Sequence, residues 1–270
     1  MSGTNGSDEG RQRGTAARSL AERKATSRAP GASRSRQVTG PGLERLVSGR
    51  APTEAVQEEE SRATTAYRAL EERIVTLDLA PGTAITENRL AAALDMGRTP
   101  VREAIQRLAW EGLVTIRPRL GILVSEISPG DFARVLDARH AIEVLLAGSA
   151  ARLASRPQRD RLAECAVAMR DAAACKDISE FLRQDKIFDE IVAIAACNPF
   201  AARVVAPLQT HSRRFWYRYF GEADLNSAAW HHMEVMQAIA AGDVDAARAR
   251  AHDLLHNLRR QAETLTGPGS

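Results

Sequence analysis

The chain has 270 residues, 44% of them hydrophobic and only 4% aromatic, and 37 Lys and Arg against 34 Asp and Glu leave a net charge of +3. That length has room for two domains, or one and a long tail, and the dominance of Ala, Leu and Arg points to a helical chain. Cys165, Cys175 and Cys197 are odd in number and show no CxxC spacing, no apolar run is long enough to span a bilayer, and no apolar segment follows the basic N-terminus as a secretory signal requires. A reduced, cytoplasmic protein with no membrane partner is the expectation.

Residues 1–61 are rich in Gly, Ser, Thr, Pro and Arg and lack apolar periodicity, so a disordered basic tail is expected there. Such a tail either adds non-specific phosphate affinity or is a solvated extension; the sequence leaves both open. From Thr64, the spacing of Tyr67, Leu70, Ile74 and Leu77 predicts an amphipathic helix that ends before Ala80-Pro81-Gly82. Thr86 is placed to cap a short second helix carrying Arg89, Leu90, Ala91 and Leu94. A third helix begins near Arg98 and runs to Trp110-Glu111, with Gly112 as its stop. Its Val101, Ala104, Ile105 and Leu108 share one side, while Arg98, Arg102 and Gln106 succeed one another by single turns on another. Val114-Thr115-Ile116 and Ile122-Leu123-Val124 read as two strands joined by Arg117-Pro118-Arg119-Leu120-Gly121.

Helix, helix, turn, helix and a basic-tipped hairpin define a winged helix-turn-helix over 62–126. Its third helix has an apolar back for a small core and an arginine-led front for guanine edges or phosphates, and the hairpin tip is suited to the backbone or minor groove. From Phe132 to about residue 264 the pattern predicts six helices, near 131–154, 158–174, 178–196, 199–220, 225–241 and 243–263, and no strand. The fold class is therefore mainly α: a winged helix-turn-helix followed by a helical bundle, over 130–264, large enough to enclose a pocket.

The motifs of 64–125 (Pro81-Gly82, Glu87 to Leu94, Arg98-Thr99-Pro100-Val101-Arg102-Glu103-Ala104, Glu111-Gly112-Leu113-Val114, and Pro118-Arg119 with Gly121) resemble the GntR family of bacterial transcription regulators. The second half resembles the FCD ligand-binding domain of the family's fatty-acid-regulator-like branch. That likeness rests on Arg139 with Glu143, on Asp185-Lys186-Ile187-Phe188 with Asn198-Pro199, and on His232, Ala238-Ile239 and Gly242-Asp243. The resemblance implies that Arg98 and Arg102 contact bases or adjacent phosphates and that Thr99 hydrogen-bonds the backbone; Arg89, Gln106, Arg117, Arg119 and Gly121 complete the DNA-binding candidates. In the turn before Arg98, Asp95-Met96-Gly97 stands where the family usually has Gly-Val-Ser, which removes a side-chain cap and a phosphate donor.

Many such domains hold a divalent metal on one Asp and three His. Here Asp185 keeps its place and His232 fits another. Asp189 stands one turn from Asp185 where a His is usual, and Leu254 occupies the last place, with His252 and His256 two residues to either side. Two readings stay open: a metal on Asp185, Asp189 and His232, or a metal-free pocket using Arg139, Arg213 or Arg214 for a carboxylate. Arg139, Glu143, Asp185, Arg213, Arg214, Trp216 and His232 are the effector-binding candidates, and Ser212, Trp216 and Phe220 would share the face of one helix. The expected function is a ligand-responsive, sequence-specific DNA-binding regulator and not an enzyme. It would be a repressor and a homodimer on a double-stranded operator, with an organic-acid-like effector and no obligatory cofactor. Its rivals are a helical metal-dependent hydrolase built on Asp185, Asp189 and His232, which no HExxH, GxSxG or phosphate loop supports, and a non-specific nucleoid-type DNA binder.

Overall fold

A computed structural model describes residues 61–265, apart from the side chains of residues 222 and 223; all of the expected basic tail except Ser61 lies outside them. Ser61 Oγ accepts a hydrogen bond from the Thr64 N–H at 3.1 Å and caps α1 (Arg62–Val75), which buries Ala66, Tyr67, Leu70 and Ile74. The helix stops short of Leu77, whose φ of 60° puts it in the following turn rather than on the apolar stripe. A two-residue strand, β1 (Ala84–Ile85), comes next. Two residues show no alternation, which is why the sequence pattern did not announce it. Thr86 Oγ1 accepts from the Arg89 N–H at 3.4 Å and starts α2 (Glu87–Ala93). The third helix, α3 (Arg98–Trp110), buries Val101, Ala104, Ile105 and Leu108, and Gly112 follows it with φ 78°.

The hairpin of β2 (Val114–Arg117) and β3 (Gly121–Val124) is antiparallel, and β1 adds to its far edge in the order β1-β3-β2. Gly121 makes that addition possible. Its φ is 90°, and a Cβ there would stand 2.6 Å from the Ile85 carbonyl oxygen. Only glycine lets the two backbones approach so closely.

Six α-helices follow: α4 (Pro129–Leu153), α5 (Arg156–Ala174), α6 (Ile178–Ala195), α7 (Pro199–Tyr219), α8 (Leu225–Ala241) and α9 (Val244–Leu265). A 3-10 turn, Gly221–Asp224, joins α7 to α8. Within two residues at each end these are the six helices read from the sequence. The long α4 packs against α9, α7, α6 and α8, while α5 lies on α6 and α8. Leu136, Leu146, Leu162, Met169, Phe215 and Met236 are buried at the centre, each contributing about 1.5–3 kcal/mol through removal from water. Arg159 locks two helix ends into this core. Its guanidinium donates to the carbonyls of Ala151 and Ala154 at 2.9 and 3.0 Å and of Ile239 and Ala240 at 3.2 and 2.9 Å. All lie in the last turn or cap of α4 and α8, where a terminating helix leaves carbonyls short of partners, although Ile239 also accepts from the Gly242 N–H at 3.0 Å.

The winged helix has its own core around Leu70, Ile74, Leu108 and Leu113. Val75, at the end of α1, instead joins the core of the bundle, and α1 also packs on α7. One helix therefore belongs to both halves.

Candidate DNA-reading face and effector site

Arg98, Thr99, Arg102 and Gln106 are exposed on α3, Arg117 and Arg119 at the wing tip, and Arg89 on α2. The fold gathers Arg102, Gln106, Arg117 and Arg119 around one groove of about 270 Å³ between α3 and the wing. Arg98 lines a separate hollow beside Asp95 and Gly97. Arg102 is not loose: its Nε donates to Glu87 Oε2 at 3.1 Å and its Nη2 to Glu87 Oε1 at 2.9 Å. That fork fixes the direction of the guanidinium and raises its pKa. Sequence reasoning missed Glu87 as a functional residue, because its partner lies 15 positions away and no helical spacing links them. Gly121 is half-buried and its place is set by the contact with β1 described above. Gly97 is the N-cap of α3, with no side-chain cap bond.

In the bundle, α4, α6, α7 and α8 bring six ionisable side chains together. Arg139 forks onto Glu143, with Nε to Oε1 at 2.7 Å and Nη2 to Oε2 at 3.1 Å, and its Nη1 donates to Ser212 Oγ at 2.6 Å. Arg213 Nη1 stands between two carboxylates, 2.6 Å from Asp189 Oδ2 and 3.2 Å from Asp185 Oδ2. Gln209 Nε2 donates to Asp189 Oδ1 at 2.9 Å and Glu143 Oε1 at 3.2 Å. His232 Nε2 is 2.9 Å from Asp185 Oδ1, and its Nδ1 is 2.7 Å from the Ala228 carbonyl.

Both ring nitrogens of His232 thus face acceptors, an arrangement satisfied by imidazolium. Burial alone would lower the His232 pKa, but the hydrogen bond and charge of Asp185 outweigh it and raise it. Asp185 would be raised by burial, yet His232, Arg213 and Arg139 hold it well below the usual carboxylate range. Asp189 is pushed up to about 8 by burial and by the neighbouring Asp185 charge. The two carboxylates share one guanidinium, and their mutual repulsion makes Asp189 the harder of the two to ionise.

Asp185, Asp189 and His232 do meet, but as they stand they do not fit a cation. Arg213 fills the place between the carboxylates, and His232 has no lone pair to offer. Among the described residues no group of three or more His, Cys, Asp or Glu is arranged to hold a metal ion. Leu254 is buried, and His252 and His256 are exposed on α9.

Arg139, Asp185, Arg213, Trp216 and His232 line a small cavity of about 30 Å³, with Ser212 on the same wall as Trp216. The indole Nε1 of Trp216 is buried without a partner. Phe220 lies outside this wall and packs on the bundle core. Arg214 also departs from the effector reading. It is 1% exposed, and its Nη2 donates to the Ser125 carbonyl at 2.5 Å, between the wing and the bundle. Burial brings its pKa down to about 10.

A three-stranded wing behind an arginine-bearing helix, joined to a six-helix bundle with a charged interior, defines a two-domain regulator architecture. The comparisons agree in both halves. Residues 62–124 match the model of bacterial regulatory proteins of the gntR family, and residues 134–257 match the FCD domain. An HTH-type transcriptional regulator in an unstable DNA locus of Streptomyces ambofaciens is 33% identical, over 67% of this chain and 77% of its own. The HTH-type transcriptional repressor RspR of Escherichia coli K12 is 29% identical, over 67% and 79%. Among solved structures, Escherichia coli McbR/YncC superposes with a TM-score of 0.67 at 18% identity, covering 77% of this chain and 99% of its own. The chain belongs to the GntR family, with an FCD domain, and is a ligand-responsive, DNA-binding transcription regulator. Among the described residues no helix is long and apolar enough to cross a membrane.

Proposed function

We propose that the protein is a cytoplasmic repressor that binds a pseudo-palindromic operator as a homodimer and is controlled by a small organic acid in the bundle, without a metal. The observation that carries the effector reading is the cavity itself. The Trp216 indole N–H is an unpartnered buried donor there, beside the cationic groups of Arg139, Arg213 and His232. A carboxylate would accept from the Trp216 N–H and draw Arg139, Arg213 or His232 away from their present acidic partners, with Arg213 supplying the positive charge that a metal would otherwise bring. At about 30 Å³ the cavity has room for a single water, so on this reading the effector enters as the helices part.

Repression rests on the names of relatives such as RspR and the gluconate operon repressor of Bacillus subtilis, which is 30% identical over 49% of this chain and 55% of its own. Homodimerisation is supported by the need to read two half-sites and by exposed apolar residues on the bundle. Phe200 and Val204, one turn apart on α7, are 75% and 60% exposed, and Ile194 at the end of α6 is 64% exposed. Arg98, Arg102, Arg117 and Arg119 contact the operator, and no catalytic role is assigned.

A thermal-shift screen of small carboxylates and sugars tests the effector reading. A carboxylate should raise the melting temperature of the protein and change its operator affinity. A compound that stabilises the protein but leaves DNA binding unchanged is not the regulatory ligand, and sugars acting where every carboxylate fails would overturn the organic-acid assignment.

A further inference from the structure

The charged interior of the bundle does not end at the cavity. Arg213 Nη2 donates to Thr210 Oγ1 at 3.2 Å, and Thr210 Oγ1 donates in turn to Glu71 Oε1 at 2.6 Å. Glu71 belongs to α1, is 4% exposed, and accepts from Lys186 through its other oxygen. Burial would raise its pKa, but the charge and hydrogen bond of Lys186, with the Thr210 bond, hold it below the usual carboxylate range. The Tyr67 hydroxyl lies 3.2 Å from Glu71 Oε1 and 2.7 Å from Glu111 Oε2. Glu111 is the C-cap residue of α3. It also accepts from Arg107 Nε at 3.0 Å, and the Arg107 guanidinium lies 3.6 Å over the Tyr67 ring. A continuous set of polar contacts therefore runs from the two carboxylates of the bundle to the end of the recognition helix.

Two members of this set have a choice to make. A hydroxyl carries one proton. The Tyr67 proton goes either to Glu111 or to Glu71, and the distances put it on Glu111. The Thr210 proton goes either to Glu71 or to the Ala206 carbonyl, 3.3 Å away, and the distances put it on Glu71. The two choices are linked, because both hydroxyls face the same Glu71 oxygen, which becomes a stronger acceptor for one when the other turns away. There is room for rearrangement: a cleft of about 280 Å³ opens along Glu71, Lys186 and Arg213.

We propose that the Thr210 and Tyr67 hydroxyls form a pair of one-proton switches, joined by Glu71, that carry the position of Arg213 to the C-terminal cap of α3. When Arg213 turns toward an acid in the cavity, Thr210 loses its donor and swings to the Ala206 carbonyl. Glu71 Oε1 then draws the Tyr67 proton, and Glu111 loses its shortest bond. The last turn of α3 loosens while His211, whose Nε2–H donates to the Glu111 carbonyl at 2.9 Å, still tethers it to α7. This device rests on the ligand-responsive reading above and supplies its path; each element has two discrete arrangements, which coupling across a packed junction requires.

The test needs no ligand and uses the full chain. Amide hydrogen exchange is read at Glu111, Gly112 and Leu113, with the amides of α5 as a control. The variants are Thr210→Val, Tyr67→Phe, Arg213→Lys and the double Arg213→Lys/Thr210→Val. Thr210→Val and Tyr67→Phe are close to isosteric and keep the fold, and Arg213→Lys keeps the buried charge but loses the second nitrogen. Each single variant should accelerate exchange at the cap by about fivefold with α5 unchanged. The double variant should exchange no faster than Thr210→Val alone, because the two act in series. If Arg213→Lys accelerates the cap equally in the Thr210→Val background, or if Thr210→Val leaves the cap untouched, the relay is refuted. Either result would leave the effector reading standing, while a failed carboxylate screen would leave the relay standing.

Discussion

The two halves of this regulator treat charge in opposite ways. On the DNA-reading face the arginines stand in water, and Arg102 is held only by Glu87, with 62% of its side chain exposed. In the bundle Arg139, Arg213, Asp185, Asp189 and His232 are all buried, and each is tied to a charged partner. A face that must exchange water for phosphate gains little from internal ion pairs, and a surface pair contributes little to stability. A buried network is the reverse: removing one partner leaves an uncompensated charge. Function and stability should therefore separate in the first half and be fused in the second.

Arg213→Met should break this contrast most severely. It leaves Asp185 and Asp189 facing each other without their shared cation, and an unfolding midpoint in urea should report a loss of about 3–5 kcal/mol. An undisturbed midpoint would mean that the carboxylates find other partners and that the network is not a unit. Arg102→Ala is the counterpart on the open face. Its melting temperature should stay close to that of the parent, while affinity for a preferred operator falls on the order of tenfold or more and preference over random DNA shrinks with it. Competition binding at fixed salt separates the two effects. If preference survived the substitution, α3 would not be the reading helix.

The DNA-binding half was almost fully legible in the sequence, for a physical reason. A helix that packs on one side and reads on the other must repeat apolar residues at Val101, Ala104, Ile105 and Leu108 and present arginines between them, and both periods lie within one short string. What escaped was β1, the stop of α1 before Leu77 and the pairing of Glu87 with Arg102, since none of them leaves a periodic trace. The bundle helices were equally legible, but their interior was not. Asp185, Asp189, Arg213 and His232 come from three helices, so no local spacing encodes the fact that a guanidinium stands between the two carboxylates. The same holds for Glu71, a residue that reads as one more surface acid on α1 and becomes buried only when α6 and α7 close over it.

That interior also has a pH signature. His232 has a raised pKa in the folded chain, so its contribution to stability is fully present below its unfolded value near 6.5 and is lost as pH rises through the folded value. Asp189, pushed up to about 8, gives a decline of the same sign over the interval above the ordinary carboxylate range. Asp185 acts oppositely: its stabilisation is present above about 3.8 and is lost as pH falls. Burial lowers the pKa values of His211 and His231, which oppose this trend below about 6.5, so urea midpoints measured from pH 7 to pH 8, where both are neutral, should decline toward the alkaline end. His232→Gln should reduce that slope, and His232→Gln with Asp189→Asn should nearly abolish it. An unchanged slope in the double variant would place the titrating groups elsewhere.

The smallest expected effect falls at Gly97, and it sharpens the comparison because it can improve the open face without touching the buried one. Gly97 caps α3 with φ −65° and ψ 160°, a backbone conformation that any residue adopts. A Cβ there would meet only the Pro100 Cδ, at 3.9 Å, so a side chain has free space. Gly97→Ser should let the hydroxyl cap an unpaired N–H of the first turn, which adds a few tenths of a kcal/mol to stability. The same hydroxyl can donate to a phosphate, and operator and random DNA should both bind about threefold more tightly. Serine is neutral, so the dependence of affinity on salt should not steepen. Equal gains on all DNA would show that the turn positions the helix on the backbone. A gain confined to one operator would mean instead that residue 97 reaches the bases, and that the reading surface begins one residue before Arg98.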